Sequence, residues 1–257
     1  MTKKHVIIYV DGGFCSQILF FSLGLFFESK GYDVKYDLQW FKTFGKDIDN
    51  KFDRSFVMNQ AFPNLKYKVA PQYLCKIYKR FFKKDWSENK IPNHLYIKYF
   101  WGSLRRQQFI KHKDFFVKNF KPVDLYLVKD LLKDIETDNS CAVHVRRGDL
   151  AKYDPAYGNP PAAEDFIKAI NNVLKQRPDS VFYFFSDEMD WVKANIIPKL
   201  DKKVKYRLCD KNGSDKGYLD LYLISRAKSI IASQGSFGKI GRDLNINKDL
   251  LFVSLVD

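Results

Sequence analysis

The stretch CAVHVRRGD (residues 141–149) decides the fold of the second half of the chain. Its first five residues form a short apolar run, which is typical of a strand buried on both faces of a parallel sheet. Polar residues and a glycine follow immediately, as expected where such a strand ends in a loop. Further strands are predicted at 180–186, 204–209, 229–233 and 250–255, alternating with helices at 163–176, 189–197, 217–227 and 236–245. This alternation predicts an α/β domain with a parallel sheet.

The amino-terminal residues repeat this pattern. KHVIIYV (4–10) is predicted as a buried strand that breaks at Asp11-Gly12-Gly13. Ser16 can cap the following helix and Gly31 can end it, after which VKYDLQWF (34–41) is predicted as the next strand. The glycine loop then lies at the carboxyl edge of the sheet, where open α/β sheets bind ligands.

The middle of the chain is less regular. KIYKRFFKKDW (76–86) and YIKYFWGSLRRQQF (96–109) interleave aromatic and basic residues and are predicted as amphipathic helices. A polar break at 136–140 precedes the regular second half. We therefore expect an α/β domain at 1–138 with a basic helical insert and a second α/β domain at 139–257, facing each other across a cleft.

The charge of the chain points to an anionic partner. The 257 residues carry 44 Lys plus Arg against 30 Asp plus Glu, a net charge of +14. Most of the excess lies in residues 66–118, which hold 14 basic and three acidic side chains. Nucleic acid, a nucleotide and a membrane surface all fit such a balance. The hydrophobic content of 46 % is enough for real cores and excludes a disordered chain.

Cysteine spacing and hydropathy indicate in which cellular compartment the protein is expected. The four cysteines form neither a CxxC pair nor a dense disulfide pattern, and no run approaches the roughly 18 apolar residues of a membrane span. We expect a cytoplasmic protein, with a peripheral position on the inner face of the plasma membrane as the alternative. The four histidines lack metal-ligand spacing, and no DxD-type pair follows a predicted strand, so no metal is expected. No cofactor is expected either.

HVRRGD (144–149) is the strongest candidate site. Arg146 and Arg147 directly follow a predicted buried strand, and Asp149 can form an ion pair with one of their guanidinium groups. Forked guanidinium donors suit the oxygens of a diphosphate. In the structural alternative, one arginine points to solvent while the other pairs with Asp149.

Three further loops follow predicted strands. In FSDEMDW (185–191), Ser186 and Asp187 can bind a sugar hydroxyl, a purine N–H or a metal ion, or can cap the next helix. In SQGSFGKIG (233–241), backbone N–H groups and Ser236 suit a second phosphate, although such loops also occur as plain turns. DGGFCSQ (11–17) is a weaker third glycine loop.

Taken together, these segments resemble the α-1,2-fucosyltransferases of glycosyltransferase family 11. The resemblance rests on GGFCSQILFFSLG, HVRRGD, FSDEMDWVKANI and DLYLISRAKSIIASQGSFGKIGRDLN, in that order. HVRRGD matches the family's H-x-R-R-x-D at every fixed position. The resemblance implies a GT-B-like fold, a GDP-fucose donor bound mainly by the carboxyl-terminal half, and inverting transfer of fucose to the 2-hydroxyl of a galactoside in a surface glycan such as O-antigen.

The resemblance also implies roles for particular residues. Arg146 would contact the diphosphate, Asp149 would orient it, and His144 and Arg147 would complete the site. Asp11 is our choice of general base because it ends the first strand, with His144 and Asp149 as alternatives. The remaining substrate-binding residues matched to the family's motifs are Gly12, Gly13, Gln17, Ser186, Asp187, Asp220, Ser225, Ser236 and Phe237.

Two departures from the family pattern keep other functions open. Cys15-Ser16 replaces the usual Gly-Asn, and Lys239-Ile240 replaces the usual Trp-Trp. The alternatives are transfer of a related GDP-deoxysugar such as colitose, a catalytically inactive relative, and a basic nucleic-acid-binding protein. In the transferase hypothesis the partners are the nucleotide-sugar donor, a galactose-containing acceptor that is free or lipid-linked, and an anionic membrane surface, with no nucleic acid.

Overall fold

The chain forms two compact α/β units, residues 1–119 and 120–257. The computed structural model describes residues 4–47, 52–98, 102–148 and 160–256. The boundary falls earlier than the predicted 138/139 because the segment 120–138 is bonded to the second unit. Tyr218 donates its hydroxyl to Asp124 over 2.6 Å, and Tyr183 donates to Asp138 over 2.6 Å.

The first unit contains a three-stranded parallel sheet in the order β2-β1-β5. Its elements are β1 (His5–Tyr9), α1 (Phe14–Ser29), β2 (Asp33–Asp37), α2 (Gln39–Thr43), β3 (Lys46–Asp47), β4 (Phe52–Asp53), α3 (Met58–Ala61), α4 (Gln72–Phe81), β5 (His94–Ile97), α5 (Gly102–Lys111) and α6 (Lys113–Asn119). The predicted opening βαβ unit is confirmed. None of the helices in the described residues is long and apolar enough to span a bilayer.

Three predictions for the first unit are corrected. Helix α1 begins at Phe14 rather than after Ser16, because Gly13 already has the extended conformation of a residue that precedes a helix, with φ −75° and ψ 177°. The predicted strand 34–41 ends at Asp37, and its last residues belong to α2. The start of the predicted helix 96–109 is strand β5, where Tyr96 and Ile97 pair with Ile7 and Ile8.

The second unit contains a five-stranded parallel sheet in the order β10-β9-β6-β7-β8. Its strands and helices are α7 (Lys129–Thr137), β6 (Ser140–Val145), α8 (Ala163–Gln176), β7 (Val181–Ser186), α9 (Met189–Asn195), β8 (Lys205–Leu208), α10 (Gly217–Ile224), β9 (Ser229–Ala232), α11 (Ser236–Asp243) and β10 (Leu251–Ser254). All of these strands and helices from β6 onward were predicted within a few residues, so the α/β class is confirmed.

Strand β6 organises the second unit. All six of its residues are buried, and the core of Cys141, Val143 and Val145 packs against Phe166 and Val173 of α8. The chain runs from β6 to β7 and β8 on one side and returns to β9 and β10 on the other. Sheets of this kind bind ligands outside the carboxyl ends of the strands where the order reverses, here β6 and β9.

Candidate functional site

The loops that follow β6, β7 and β9 meet at one edge of the second sheet. Val145, the last residue of β6, pairs with Ser186, the last residue of β7, and His144 pairs with Ala232, the last residue of β9. This register brings the three predicted loops of the second half together. Asp149 lies outside the described residues.

Arg146 and Asp187 form the centre of this edge. Arg146 Nη1 lies 2.5 Å from Asp187 Oδ2, and both side chains are about three-quarters buried. The other carboxylate oxygen of Asp187 accepts the backbone N–H of Arg147 over 3.0 Å. Gly148 allows this approach, because a Cβ at that position would lie 2.6 Å from Asp187 Oδ2. Asp187 therefore orients the guanidinium group of Arg146.

Arg147 is held mainly by its flat face. Its guanidinium carbon lies 3.7 Å from the centre of the Trp191 ring, and its Nη1 donates to the carbonyl of Pro161 over 3.2 Å. Its buried Nε lies 3.9 Å from a carboxylate oxygen of Glu188 and has no hydrogen-bond partner within the described part of the chain. Such a stacked guanidinium keeps its remaining edge available for a planar or anionic group.

His144 is buried beneath the same edge. Its ring stacks on Phe237, with 5.3 Å between the ring centres and 19° between the planes. Burial, and then the positive charge of Arg146, lower the pKa of His144 to about 4, although the charge of Asp187 opposes this shift. The imidazole is thus neutral at pH 7, and its Nδ1 has no hydrogen-bond partner among the described residues.

The loop after β9 anchors the β6 loop and carries an unpaired amide. Ser233 donates its backbone N–H to the carbonyl of His144 over 3.1 Å, and its hydroxyl accepts the backbone N–H of Arg146 over 2.7 Å. Both polar atoms of the Gln234 side chain are buried without a partner in the described structure. Gly235 has φ 92° and ψ 179°, a conformation essentially restricted to glycine. Ser236, which is exposed, begins α11.

Asp220 lies in the first turn of α10. Its carboxylate accepts the side-chain N–H of Asn212 over 2.7 Å, and burial raises its pKa to about 7. The amino end of α10 is close to Phe237, because a Cβ on Gly217 would lie 3.9 Å from that ring. Asp220 is thus a half-buried acid on a helix that begins beside the stacked Phe237.

Two predicted residues of the second unit make internal bonds. The hydroxyl of Ser225 is buried and donates to the carbonyl of Tyr222 over 2.6 Å. Ser186 donates to the carbonyl of Val145 over 2.9 Å and accepts the backbone N–H of Glu188 over 3.0 Å. Ser186 thus closes the turn before the next helix, whereas the predicted helix-capping alternative is corrected, because Glu188 occupies the N-cap position and no side chain caps that helix.

The predicted residues of the first unit surround the glycine loop after β1. Gly12 has φ 75°, which favours glycine. Gln17 is fully buried, and its amide donates to the carbonyls of Gly12 and Ser55 over 3.3 and 2.9 Å and accepts the N–H of Val57 over 3.0 Å. Gln17 therefore fixes the loop through backbone contacts.

Gly13 and Asp11 have charged neighbours. A Cβ on Gly13 would lie 3.9 Å from the Arg54 guanidinium carbon. Burial lowers the pKa of Arg105, and the negative charge of Asp11 partly offsets that shift, which places Asp11 near Arg105. The assignment of Asp11 as general base stays a prediction.

Sequence reasoning missed Ser233, Gln234, Gly148 and Trp191. All four stood within quoted motifs, but Trp191 lies on another helix, far along the chain from Arg147, and its stacking on that arginine gives no signal without the fold. The described residues contain no group of three or more His, Cys, Asp or Glu side chains suited to a metal ion. The prediction that no metal takes part stays untested.

Solved structures define the class of protein first. The chain is similar to the fucosyltransferase NodZ from Bradyrhizobium, with a TM-score of 0.51 and 15 % identity over 95 % of this chain and 93 % of that one. It is similar to POFUT1 in complex with GDP, with a TM-score of 0.56 and 10 % identity over 100 % of this chain and 99 % of that one. These likenesses show the fold, and the predicted GT-B-like class is confirmed.

The family follows from the sequence comparison. Residues 54–254 match Glycosyl transferase family 11, and the chain belongs to that family. An α-1,2-colitosyltransferase of Escherichia coli is 24 % identical over 95 % of this chain and 89 % of its own length. The O-antigen biosynthesis glycosyltransferase WbnK of Escherichia coli is 25 % identical over 51 % of this chain and 42 % of its own length.

Proposed function

We propose that this glycosyltransferase moves L-fucose from GDP-fucose to the 2-hydroxyl of a galactoside and inverts the anomeric centre. The observation that carries the proposal is Arg146, oriented by Asp187 at the carboxyl ends of β6 and β7. Its backbone N–H is bonded to Ser233, so the group is fixed before a ligand arrives. A preorganised cation of this kind suits the charge that develops on a leaving diphosphate.

Unpaired buried atoms support a ligand at this edge. His144 Nδ1, Arg147 Nε and the Gln234 amide belong to the loops around Arg146 and have no hydrogen-bond partner among the described residues. Leaving a buried polar group unsatisfied costs about 1–3 kcal/mol. A nucleotide offers both donors and acceptors, so its binding can relieve that cost.

In the proposed reaction, the bond from fucosyl C1 to the β-phosphate oxygen breaks while the acceptor oxygen bonds to C1 from the opposite face. The acceptor proton passes to a base, and GDP leaves with additional negative charge. Arg146 stabilises that charge, and the backbone N–H groups near Ser236 contribute at the second phosphate. Asp149 stays an alternative partner for Arg146.

The base is proposed to be Asp11. His144 suits binding better than proton removal, because a pKa of about 4 makes it a weak base at pH 7. We propose that His144, Phe237 and Asp220 contact the nucleotide. Gly12, Gly13 and Gln17 are proposed to act at the loop after β1, where Gln17 holds the backbone and the two glycines are the substrate-binding candidates.

The relatives support a surface-glycan acceptor and keep a second donor in view. One relative is named a colitosyltransferase and another an O-antigen biosynthesis glycosyltransferase. GDP-colitose is therefore the alternative donor, while the acceptor is a galactose-containing glycan in free or lipid-linked form. We propose that the reaction takes place at the cytoplasmic face of the membrane and needs no cofactor.

A donor screen tests the proposal. The purified chain is incubated with GDP-fucose, GDP-colitose, GDP-mannose or UDP-sugars, with and without galactose-terminated acceptors, while nucleotide release and product mass are measured. We expect acceptor-dependent GDP release with GDP-fucose and a mass increase of one deoxyhexose. Turnover confined to GDP-colitose would select the alternative donor, and turnover confined to a UDP-sugar would overturn the proposal.

Ligand protection separates an inactive relative from an active enzyme. GDP is expected to raise the melting temperature of the wild-type chain, and Arg146→Ala is expected to abolish that shift. Arg207→Ala is the matched control, because Arg207, on edge strand β8, forms a similar 2.5 Å ion pair with Asp134 of α7. Protection by GDP without transfer from any donor would identify an inactive relative.

A further inference from the structure

We propose that the outer face of helix α4 docks on an anionic lipid bilayer. This surface, called here the α4 surface, consists of an apolar row on the helix and a basic row beside it. The apolar row is Tyr73, Ile77 and Phe81, and the basic row is Lys76, Lys79 and Arg80 of α4 with Lys83 and Lys84 just after its end. The inference does not depend on the identity of the sugar donor.

The apolar row is exposed although the helix has a well-packed inner side. Cys75 and Tyr78 are buried against β1 and β5, whereas Tyr73, Ile77 and Phe81 are 67 %, 44 % and 59 % exposed. Residues four apart share one face of a helix, so the three form a continuous ridge. Three large apolar side chains in one row exceed the scattered single exposures of an ordinary surface.

The charge beside this ridge has one sign. Residues Gln72 to Lys84 contain five basic side chains and no acidic one. Lys76 and Arg80 lie one turn apart, and the Arg80 guanidinium carbon lies 5.3 Å from the centre of the Phe81 ring. The apolar and basic rows are thus adjacent on the outer face of the helix.

This arrangement matches the requirements of a membrane interface. An interfacial helix buries apolar side chains at the boundary between headgroups and acyl chains, while lysine and arginine bind anionic lipid phosphates. Long basic side chains keep their charge among the headgroups as their stems follow the apolar surface. Ten helical residues of about 1.5 Å rise each span roughly 15 Å, enough for a docking patch and too short for a spanning segment.

A bilayer explains the surface better than nucleic acid does. Strands of nucleic acid bind along basic grooves in which flat aromatic rings stack on bases. The α4 ridge has two aromatic side chains, Tyr73 and Phe81, but aliphatic Ile77 lies between them and aliphatic Val69, just before the helix, is 46 % exposed. Aliphatic groups gain from contact with acyl chains and offer no stacking face, so the mixed ridge fits a bilayer better than a row of bases.

Vesicle sedimentation tests the proposal. The full chain is mixed with vesicles of phosphatidylcholine alone or of phosphatidylcholine with phosphatidylglycerol, and the bound fraction is measured. We expect binding to the anionic vesicles only. Lys76→Gln with Arg80→Gln should weaken it about thirtyfold, since each basic residue near an anionic surface contributes about five- to sixfold.

Matched variants test whether the apolar row of α4 itself contributes to lipid binding, or whether any exposed apolar side chain would do so. Ile77→Ser with Phe81→Ser keeps every charge and should weaken binding about tenfold, whereas Tyr126→Ser with Leu127→Ser removes exposed apolar groups of the second unit and should change nothing. Transfer to a soluble acceptor should be unaffected by all of these variants. Equal binding to neutral vesicles, or no loss in the α4 variants, would overturn the proposal.

Two other occupants would be revealed by the same variants. Single-stranded oligonucleotide binding that is lost in Lys76→Gln with Arg80→Gln, without vesicle binding, would assign the surface to nucleic acid and refute the lipid proposal. Self-association that Ile77→Ser with Phe81→Ser abolishes, again without vesicle binding, would assign it to a second copy of the chain.

Discussion

A double-mutant cycle on Arg146 and Asp187 tests whether the Asp187 carboxylate orients the Arg146 guanidinium group. Arg146→Ala removes a preorganised charged donor, which costs about 3 kcal/mol of transition-state stabilisation and roughly 150-fold in rate. Asp187→Asn keeps an oxygen for the N–H of Arg147 but replaces the oxygen that lies 2.5 Å from Arg146 with an amide N–H. Since both side chains are about a quarter exposed, the loss of this charged hydrogen bond should cost only about 1.5 kcal/mol, or about tenfold.

The double variant gives the decisive number. If Asp187 acts through Arg146, the pair should be only about 150-fold impaired, like Arg146→Ala alone, whereas independent effects would add to about 4.5 kcal/mol, or roughly 2,000-fold. The assay is kcat/KM for acceptor-dependent GDP release, with melting temperatures recorded and Arg207→Ala as control. Additive losses would refute the orienting role. Near-normal turnover of Arg146→Ala would refute the mechanism.

Three further changes test individual features. Burial raises the pKa of Asp220 to about 7, so the folded chain keeps this proton up to that pH, whereas the unfolded chain releases it above about pH 4. The free energy of unfolding therefore falls as the pH rises from about 4 to about 7. Asp220→Asn should therefore raise the free energy of unfolding by at most about 4 kcal/mol at pH 8 and hardly at pH 4; equal gains at both would contradict the burial argument. Gly148→Ala should displace Asp187, which would lie 2.6 Å from the new Cβ, and lower kcat about tenfold with donor saturating; unchanged kcat would disprove this packing. Gln17→Ala should leave the N–H of Val57 unsatisfied and lower the free energy of unfolding, measured with denaturant, by about 3 kcal/mol. A loss below about 0.5 kcal/mol would contradict the role of Gln17 in holding the loop after β1.

The fold was predictable where the spacing of apolar residues fits either a strand or a helix but not both. From CAVHV onward, apolar runs of strand length alternate with helical patterns, and nothing local competes with them. Residues 39–41 were misassigned because an apolar run after Asp37 fits a strand extension as well as the start of a short helix. Tyr96 and Ile97 were misassigned because their strand exists only through pairing with β1, a tertiary contact that local patterns do not contain.

The site was predictable as a set of loops but not as a set of contacts. Chain order identified the segments after β6, β7 and β9, since carboxyl ends of parallel strands share one edge. The Arg146–Asp187 pair depends on the register that sets Val145 beside Ser186, and the unpaired Gln234 amide depends on how its loop folds. Ser186 and Ser225 carry the same hydroxyl chemistry as a binding serine. Only the structure shows that the Ser186 hydroxyl accepts the N–H of Glu188 and that the Ser225 hydroxyl donates to the carbonyl of Tyr222.

The net charge of +14 and the candidate site are separate features of the molecule. At the site, the positive charge of Arg146 is matched by Asp187, Arg147 lies near Glu188, and the depressed pKa of His144 keeps that ring uncharged. In the proposed function, such a locally balanced site would bind the diphosphate through short directed hydrogen bonds, which salt screens little. The α4 surface has basic groups without acidic ones. Its exposed charges attract an anionic surface over a distance of about 8 Å at physiological salt, beyond which ions screen them. If both proposals hold, the excess charge bears on where the protein docks, while Arg146 and Arg147 bear on binding of the leaving diphosphate.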